Sequence, residues 1–203
     1  PSDAYSASTH GGSCYFTQTN NSEIYVSDAT DFDFGTGDYT IEMWAYPIKT
    51  SFNNSWSMAI NTTGVNQYWA WTDKTETSSV TISLVYNHDG AGNANAAGLS
   101  TSVSGGYSVD FADIPEPFNW SHIVFQNTSG VANWYLNGAR VYETTHNENF
   151  SASATGLHIG NSPHYTGQFQ YGGYLTDIRV VKGSNAYTNG STITVPTAPL
   201  TKI

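Results

Sequence analysis

Acidic and amide side chains crowd three polar stretches of the chain, around residues 28–38, 87–93 and 110–113. Calcium is a hard cation that takes carboxylate and carbonyl oxygens from loops. We expect calcium ligands among the aspartates of these stretches, which are Asp28, Asp31, Asp33, Asp38, Asp89, Asp110 and Asp113. Asp and Asn are also the ordinary residues of turns, so the pattern predicts a calcium site without selecting one loop.

Two groups of aromatic residues have the composition of a sugar site. A flat ring can pack against the apolar side of a sugar, while nearby polar groups hydrogen-bond its hydroxyls. The first candidate group is Tyr68, Trp69 and Trp71 with Asn87, His88 and Asp89, and the second is His164, Tyr165, Gln168 and Tyr171. The alternative for Trp69 and Trp71 is a place in the core. The alternative for the second group is a protein interface, which Tyr and His suit equally well.

The carboxylates do not form the pair that a glycoside hydrolase uses for its acid and nucleophile. Side chains alternate between the two faces of a strand, so two carboxylates on one strand share a cleft only if their sequence separation is an even number of residues. Glu42 stands alone on its predicted strand, and Asp73 and Glu76 are three residues apart. The sequence also lacks the usual nucleophile, zinc and phosphate-loop motifs. We therefore expect no enzyme activity.

Three further residues, Glu42, His122 and His158, could hold a metal if they shared one sheet face. The interpretation that we favour is a polar sheet face exposed to solvent. Asp177 and Arg179 are two residues apart on one predicted strand, and this spacing predicts an ion pair between them.

Short runs in which apolar and polar residues alternate predict β-strands with one buried face. The clearest run covers residues 39–46, where Ile41, Met43 and Ala45 would face the core. The stretch 118–182 predicts an antiparallel meander, with a hairpin turn at Asn137-Gly138. We expect a strand pair at 14–18 and 23–26, further strands at 57–61, 67–71 and 80–86, a long rim loop from 86 to 106, and an edge strand at 192–199. No segment predicts a helix of normal length.

Composition narrows the class of partner. The 203 residues carry a formal net charge of −10, with six Lys and Arg together, so the clustered cations of a nucleic-acid site are missing. No apolar run reaches the length of a membrane-spanning helix, so we expect no membrane insertion. Aromatic residues make up 14% of the chain. The single Cys14 excludes an intrachain disulfide.

The ordered motifs resemble one known group of proteins. The segments are W-S-H-I-V from Trp120, Y-L-N-G from Tyr135, L-H-I-G-N from Leu157 and G-Y-L-T-D-I-R from Gly173, with D-F-D-F-G-T-G-D-Y-T-I-E-M-W-A-Y-P from Asp31. Together they are similar to the laminin G-like, concanavalin A-like lectin superfamily. The resemblance implies an all-β, two-sheet antiparallel jelly-roll β-sandwich, and it supports calcium at the rim.

These observations lead to one expectation about organisation and one about function. We expect an N-terminal arm or linker end at residues 1–11 and a single domain at 12–203. We expect a non-catalytic binding module for carbohydrate, assisted by calcium, outside a cell or on a virion. The alternative is a structural, decoration or fibre protein of a phage particle that contacts capsid or tail proteins, with a homo-oligomer as one form of it.

Overall fold

The structure is a computed structural model. It describes residues 5–17, 22–27, 31–32, 34–48, 118–145, 154–160 and 171–203, together with the backbone course of four strands between residues 56 and 96. Within these residues the chain forms two antiparallel sheets of six strands each and one helical turn, α1 (Ala7–His10). None of the described helices is long and apolar enough to cross a membrane.

The first sheet has the order β1-β12-β3-β8-β9-β10. Its strands are β1 (Cys14–Phe16), β3 (Tyr39–Pro47), β8 (Ser121–Thr128), β9 (Val131–Leu136), β10 (Ala139–Thr145) and β12 (Gly173–Lys182). The second sheet has the order β2-β11-β4-β5-β6-β7. Its strands are β2 (Ile24–Val26), β4 (Trp56–Thr62), β5 (Val65–Trp71), β6 (Ile82–Asp89), β7 (Ala94–Ala96) and β11 (Ala154–Ile159).

The core lies between the two sheets, as the alternation on the central strand predicts. Ile41, Met43 and Ala45 of β3 are buried, and Leu157 and Ile159 of β11 join the same cluster from the second sheet. Each of the larger side chains among these, the Ile, Leu and Met residues, contributes about 1.5–3 kcal/mol through removal from water. The all-β jelly-roll sandwich is therefore confirmed.

Two hairpin turns set the register of β8, β9 and β10. Asn137 and Gly138 have φ values of 49° and 84°, and Ser129 and Gly130 have φ values of 50° and 80°. Two successive positive φ values are the signature of the type I′ turn that matches the twist of a hairpin. The predicted turn at Asn137-Gly138 is confirmed.

Several predicted strands exist but pair differently. The strands near residues 14 and 24 do not pair with each other, because β1 joins β12 in the first sheet and β2 joins β11 in the second. Within residues 118–182 the meander is limited to β8, β9 and β10, since β11 crosses to the second sheet and β12 inserts between β1 and β3. Strand β6 runs on to Asp89, inside the stretch predicted as a loop. These differences are long-range pairings, which local alternation does not encode.

The end of the chain is also different from the expectation. The predicted edge strand at 192–199 makes one isolated bridge, between Thr192 and Ala139. Residues 184–203, here called the C-terminal tail, lie instead across the side of the first sheet that faces away from the core, here called the outer face. The tail therefore covers polar side chains that would otherwise contact solvent.

Candidate functional site

An uninterrupted row of aromatic rings crosses the outer face at one end of the first sheet. Tyr15 of β1 pairs in register with Tyr174 of β12, and Tyr174 pairs with Tyr46 of β3. Trp120, which directly precedes β8, lies beside Tyr46. We call Tyr15, Tyr174, Tyr46 and Trp120 the aromatic row.

The rings of the aromatic row contact one another. The ring centroids are 4.9 Å apart for Tyr15 and Tyr174, 6.0 Å for Tyr174 and Tyr46, and 5.5 Å for Tyr46 and Trp120. These separations and tilted geometries are those of favourable aromatic pairs. Because the row crosses four adjacent strand positions, it is about 14 Å long, or three interstrand spacings.

The row is accessible to solvent. Tyr15 is 51% exposed and Tyr174 is 37% exposed, while Tyr46 and Trp120 are partly exposed. Phe118, two residues before Trp120, is also exposed, and its backbone N–H donates to the carbonyl oxygen of Pro47 at the end of β3. Large aromatic side chains that remain exposed in a contiguous set mark binding surfaces on folded proteins.

A different arrangement occupies the same face further along β3. The Glu42 carboxylate accepts hydrogen bonds from Arg179 Nε at 2.7 Å, His122 Nε2 at 3.1 Å and the Tyr187 hydroxyl at 2.6 Å. Glu42 and His122 have no solvent-exposed side-chain surface. We call Glu42, His122, Arg179 and Tyr187 the charged cluster.

The charged cluster keeps Glu42 ionised. Burial acts to raise the pKa of Glu42, but the hydrogen bonds that its carboxylate accepts from His122, Tyr187 and Arg179 outweigh it, so this pKa lies below its usual value. Burial, together with the Glu42 carboxylate, raises the pKa of Tyr187 well above its usual value. Tyr187 therefore stays protonated and donates to Glu42.

The C-terminal tail closes over this cluster through a second set of hydrogen bonds. The Gln126 side chain pairs with the backbone of Tyr187, accepting from its N–H at 3.1 Å and donating to its carbonyl oxygen at 2.9 Å. Tyr135 donates to the carbonyl oxygen of Gly190, and Arg179 donates to that of Thr201. The charged cluster thus anchors the tail and lies beneath it.

The sequence from residue 18 to residue 185 identifies the family of this protein. The family model described as the concanavalin A-like lectin/glucanases superfamily matches residues 18–185, well over half of the chain. The protein belongs to this superfamily. No curated protein matches the chain.

Solved structures agree on the fold of this superfamily member. Domain 4 of the extracellular arabinanase AbnA from Geobacillus stearothermophilus, solved with arabinotriose, has a TM-score of 0.55 at 12% identity and covers 84% of this chain and 70% of its own. The CBM40 of the Ruminococcus gnavus IT-sialidase, bound to sialyllactose, has a TM-score of 0.50 at 11% identity, with coverages of 78% and 88%. Tailspike protein 2 of an Escherichia coli O157:H7 bacteriophage has a TM-score of 0.55 at 15% identity, with coverages of 84% and 22%.

Some of the predicted sugar-site residues lie on adjacent strands of this superfamily fold. Tyr68, Trp69 and Trp71 are in β5, and Asn87, His88 and Asp89 are in β6, which pairs with β5. The structure gives their backbone positions alone. His164 and Tyr165 lie outside the described residues. The prediction that Tyr171 binds a sugar is wrong, because its side chain is fully buried with its ring against Phe16 and cannot present a face to a sugar.

The structure describes some of the predicted calcium ligands and not others. Asp28, Asp33, Asp110 and Asp113 lie outside the described residues, and Asp89 is described by its backbone alone. Asp31 is exposed. Asp38 ties three segments together, since its carboxylate accepts from the Ser129 N–H and from Asn185. No group of three or more His, Cys, Asp or Glu side chains that could hold a metal ion occurs among the described residues.

The predictions for Glu42, His122, His158 and Arg179 differ from the structure. Glu42 and His122 are buried beneath the tail rather than exposed to solvent. His158 belongs to β11, which is in the other sheet. Arg179 pairs with Glu42, not with Asp177. The reason is a register irregularity between Thr176 and Arg179, where Asp177 has a φ of 48° and its carboxylate accepts from the Leu200 N–H.

The aromatic row was not predicted from the sequence. A partial signal was present, since Tyr46 and Tyr174 alternate with the core residues Ala45 and Leu175 and must therefore face outward. What places the two tyrosines together is the insertion of β12 beside β3, two strands that are more than 120 residues apart in the chain.

Proposed function

We propose that this protein is a non-catalytic carbohydrate-binding module, and that the aromatic row is its binding surface. The observation that carries the proposal is the in-register, solvent-exposed set of Tyr15, Tyr174, Tyr46 and Trp120. Such rings offer flat apolar faces to sugar rings, and a preformed surface avoids the entropic cost of ordering side chains on binding.

The length and polarity of the row favour an oligosaccharide over a single sugar. Each ring makes a modest contact, so useful affinity requires several contacts along one ligand. The row is about 14 Å long, and its ends carry exposed polar residues, Ser13 before β1 and Asn119 beside Trp120. A chain of several sugar units could therefore contact all four rings at once.

We propose that the protein is not catalytic because of the burial, the hydrogen bonds and the lowered pKa of Glu42. Although Glu42 is a carboxylate on the outer face, its side chain is fully buried beneath the tail and hydrogen-bonded through both oxygens. A substrate cannot reach it while the tail is in place. Its lowered pKa also keeps it from acting as a general acid near neutral pH.

The solved neighbours support a glycan as the ligand class. Two of them, the arabinanase domain and the CBM40, were solved with arabinotriose and sialyllactose bound, respectively. The tailspike neighbour favours a virion surface as the location, with an extracellular surface as the other proposed location. The same neighbour motivates a second candidate function, a phage structural or fibre module that contacts other proteins.

Calcium assistance remains part of the proposal. Its motive is the set of aspartates around residues 28–38, 87–93 and 110–113 and the preference of calcium for such loop oxygens. A thermal melt with calcium and with excess chelator measures it. We expect a higher midpoint with calcium, because a ligand that binds the native state stabilises it; equal midpoints would remove calcium from the proposal.

The glycan-binding proposal is tested with a glycan array and titration calorimetry on wild type, Tyr174→Ala and Tyr25→Ala. Tyr25 is the matched control, since it is an exposed tyrosine in β2 of the other sheet. We expect Tyr174→Ala to weaken binding about tenfold or more, which corresponds to about 1.4 kcal/mol, and Tyr25→Ala to bind as wild type does. No binding by wild type across diverse glycans, or an equal loss in both variants, would overturn the proposal. A trimeric mass without glycan binding would favour the phage structural function.

A further inference from the structure

The N-terminal arm, defined here as Tyr5–His10, covers one end of the aromatic row. The Tyr5 ring stacks on Trp120 with centroids 3.8 Å apart and an interplanar angle of 26°. A nearly parallel ring at this distance occupies a face of Trp120 in the way that a bound sugar ring would. Tyr5 therefore occupies the position next to Trp120 in which a sugar ring could extend the contacts made along the aromatic row.

More aromatic rings lie beneath the arm. Trp44 neighbours Tyr5, with centroids 5.7 Å apart, and it neighbours His10 at 5.5 Å and His122 at 5.3 Å. Trp44 and His122 are fully buried, and His10 is almost fully buried. Tyr5 thus links Trp120 to Trp44, and Trp44 with the neighbouring His122 is closed to solvent.

The closed part contains polar atoms without partners. Among the described residues, Trp44 Nε1, His122 Nδ1 and His10 Nε2 are buried and make no hydrogen bond. Leaving a buried polar group unsatisfied is unfavourable, because the group has lost its hydrogen bonds to water. Trp44 Nε1 is a donor, and both Tyr5 and His10 of the arm lie against the Trp44 ring. A sugar hydroxyl can satisfy Trp44 Nε1, because its oxygen accepts hydrogen bonds.

The arm has the construction of a movable cover. Its helix is a single turn of four residues, which is too short to be stable alone. Gly11, with a φ of 86°, and Gly12 follow the helix, and a Cβ added at either position would meet nothing within 4 Å. The arm can therefore pivot at Gly11, while Gly12 stays attached to β12 because its carbonyl oxygen accepts a hydrogen bond from Thr176.

We propose that the arm covers a further sugar subsite, formed by the Trp120 face and Trp44 Nε1, that longer oligosaccharides open by displacing Tyr5. This inference rests on the proposed glycan function of the aromatic row. Short oligosaccharides occupy the row alone, and longer ones also reach the covered atoms. Tyr5 then determines the length of chain that binds.

The test compares wild type, Tyr5→Ala and Tyr5→Phe on an array of linear arabinose, glucose, xylose, galactose and mannose oligomers, from disaccharide to hexasaccharide. Tyr5→Phe is the control, because it keeps the covering ring and loses the hydroxyl. We expect Tyr5→Ala to bind the longer members of a bound series roughly three- to tenfold more tightly, the equivalent of one added hydrogen bond or more, with no gain for the shortest member. Tyr5→Phe should follow wild type at every length.

The outcomes separate this inference from the function on which it rests. If wild type binds glycans through Tyr174 but Tyr5→Ala gains nothing at any length, the subsite is overturned and the glycan function stands. An equal gain at all lengths also overturns the subsite, since it indicates a general loosening of the surface. If neither wild type nor Tyr5→Ala binds any oligomer, both the function and the subsite are overturned.

Discussion

The outer face of the first sheet carries two surfaces of opposite character on the same strands. Near residue 42 of β3, the charged cluster is buried, is hydrogen-bonded at Glu42 through both carboxylate oxygens and is covered by the tail. Four residues further along β3, Tyr46 belongs to a row of rings that is left partly open. Burying a charged group without hydrogen-bonding partners costs free energy. A tyrosine side chain can remain exposed to water at little cost in stability.

Under the proposed function, this difference separates stability from recognition within one sheet face. Residues of the charged cluster hold the tail in place and contribute to folding, so their replacement should cost stability. Residues of the aromatic row contribute little to folding, so their replacement should cost binding alone. Three measurements test this contrast.

The largest expected effect is that of Glu42→Gln. Removing one partner of a buried ion pair leaves the others uncompensated, which costs about 3–5 kcal/mol. Arg179, His122 and Tyr187 would all lose the carboxylate charge. We expect urea unfolding to show a loss of this size. Glu143→Gln is the control, because Glu143 pairs with Arg140 at the surface and should change the unfolding free energy by less than about 1 kcal/mol. Equal losses would contradict a special role for the cluster.

A smaller effect is expected from acid. The pKa of Glu42 is lower in the folded protein than its ordinary value of 4.5, so its contribution is fully present above that value and is lost as the pH falls through the folded pKa. Urea unfolding between about pH 6 and pH 3 measures this loss. We expect Glu42→Gln to show a shallower acid slope than wild type. Parallel slopes would place the acid sensitivity in other carboxylates.

The smallest expected effect on stability is that of Tyr174→Ala. Its ring is 37% exposed, so the unfolding free energy should fall by no more than about 1 kcal/mol, even though glycan binding is expected to weaken strongly. Phe125→Ala is the comparison, because Phe125 is a buried core ring packed edge-on against Trp134 and should cost about 3–5 kcal/mol. A loss in Tyr174→Ala as large as that in Phe125→Ala would mean that the row serves the fold.

The sequence was sufficient for the features that depend on neighbouring residues. Alternation identified the buried face of β3, and Asn137-Gly138 identified a hairpin turn, because side-chain period and positive φ are local properties. The ordered motifs identified the superfamily. The same reasoning placed Glu42 on the outer face but left it in solvent, since nothing local to Glu42 indicates that Tyr187 will cover it.

Strand order and the path of the two chain ends were decided by the tertiary structure alone. Tyr15, Tyr46 and Tyr174 form one row only because β12 lies between β1 and β3, and the charged cluster exists only because residues 42, 122, 179 and 187 meet there. Such pairings join segments of the chain that are far apart, and they are selected by the packing of whole sheets against a common core. Local sequence fixes which way a side chain points, but the side chain's neighbours depend on the complete fold.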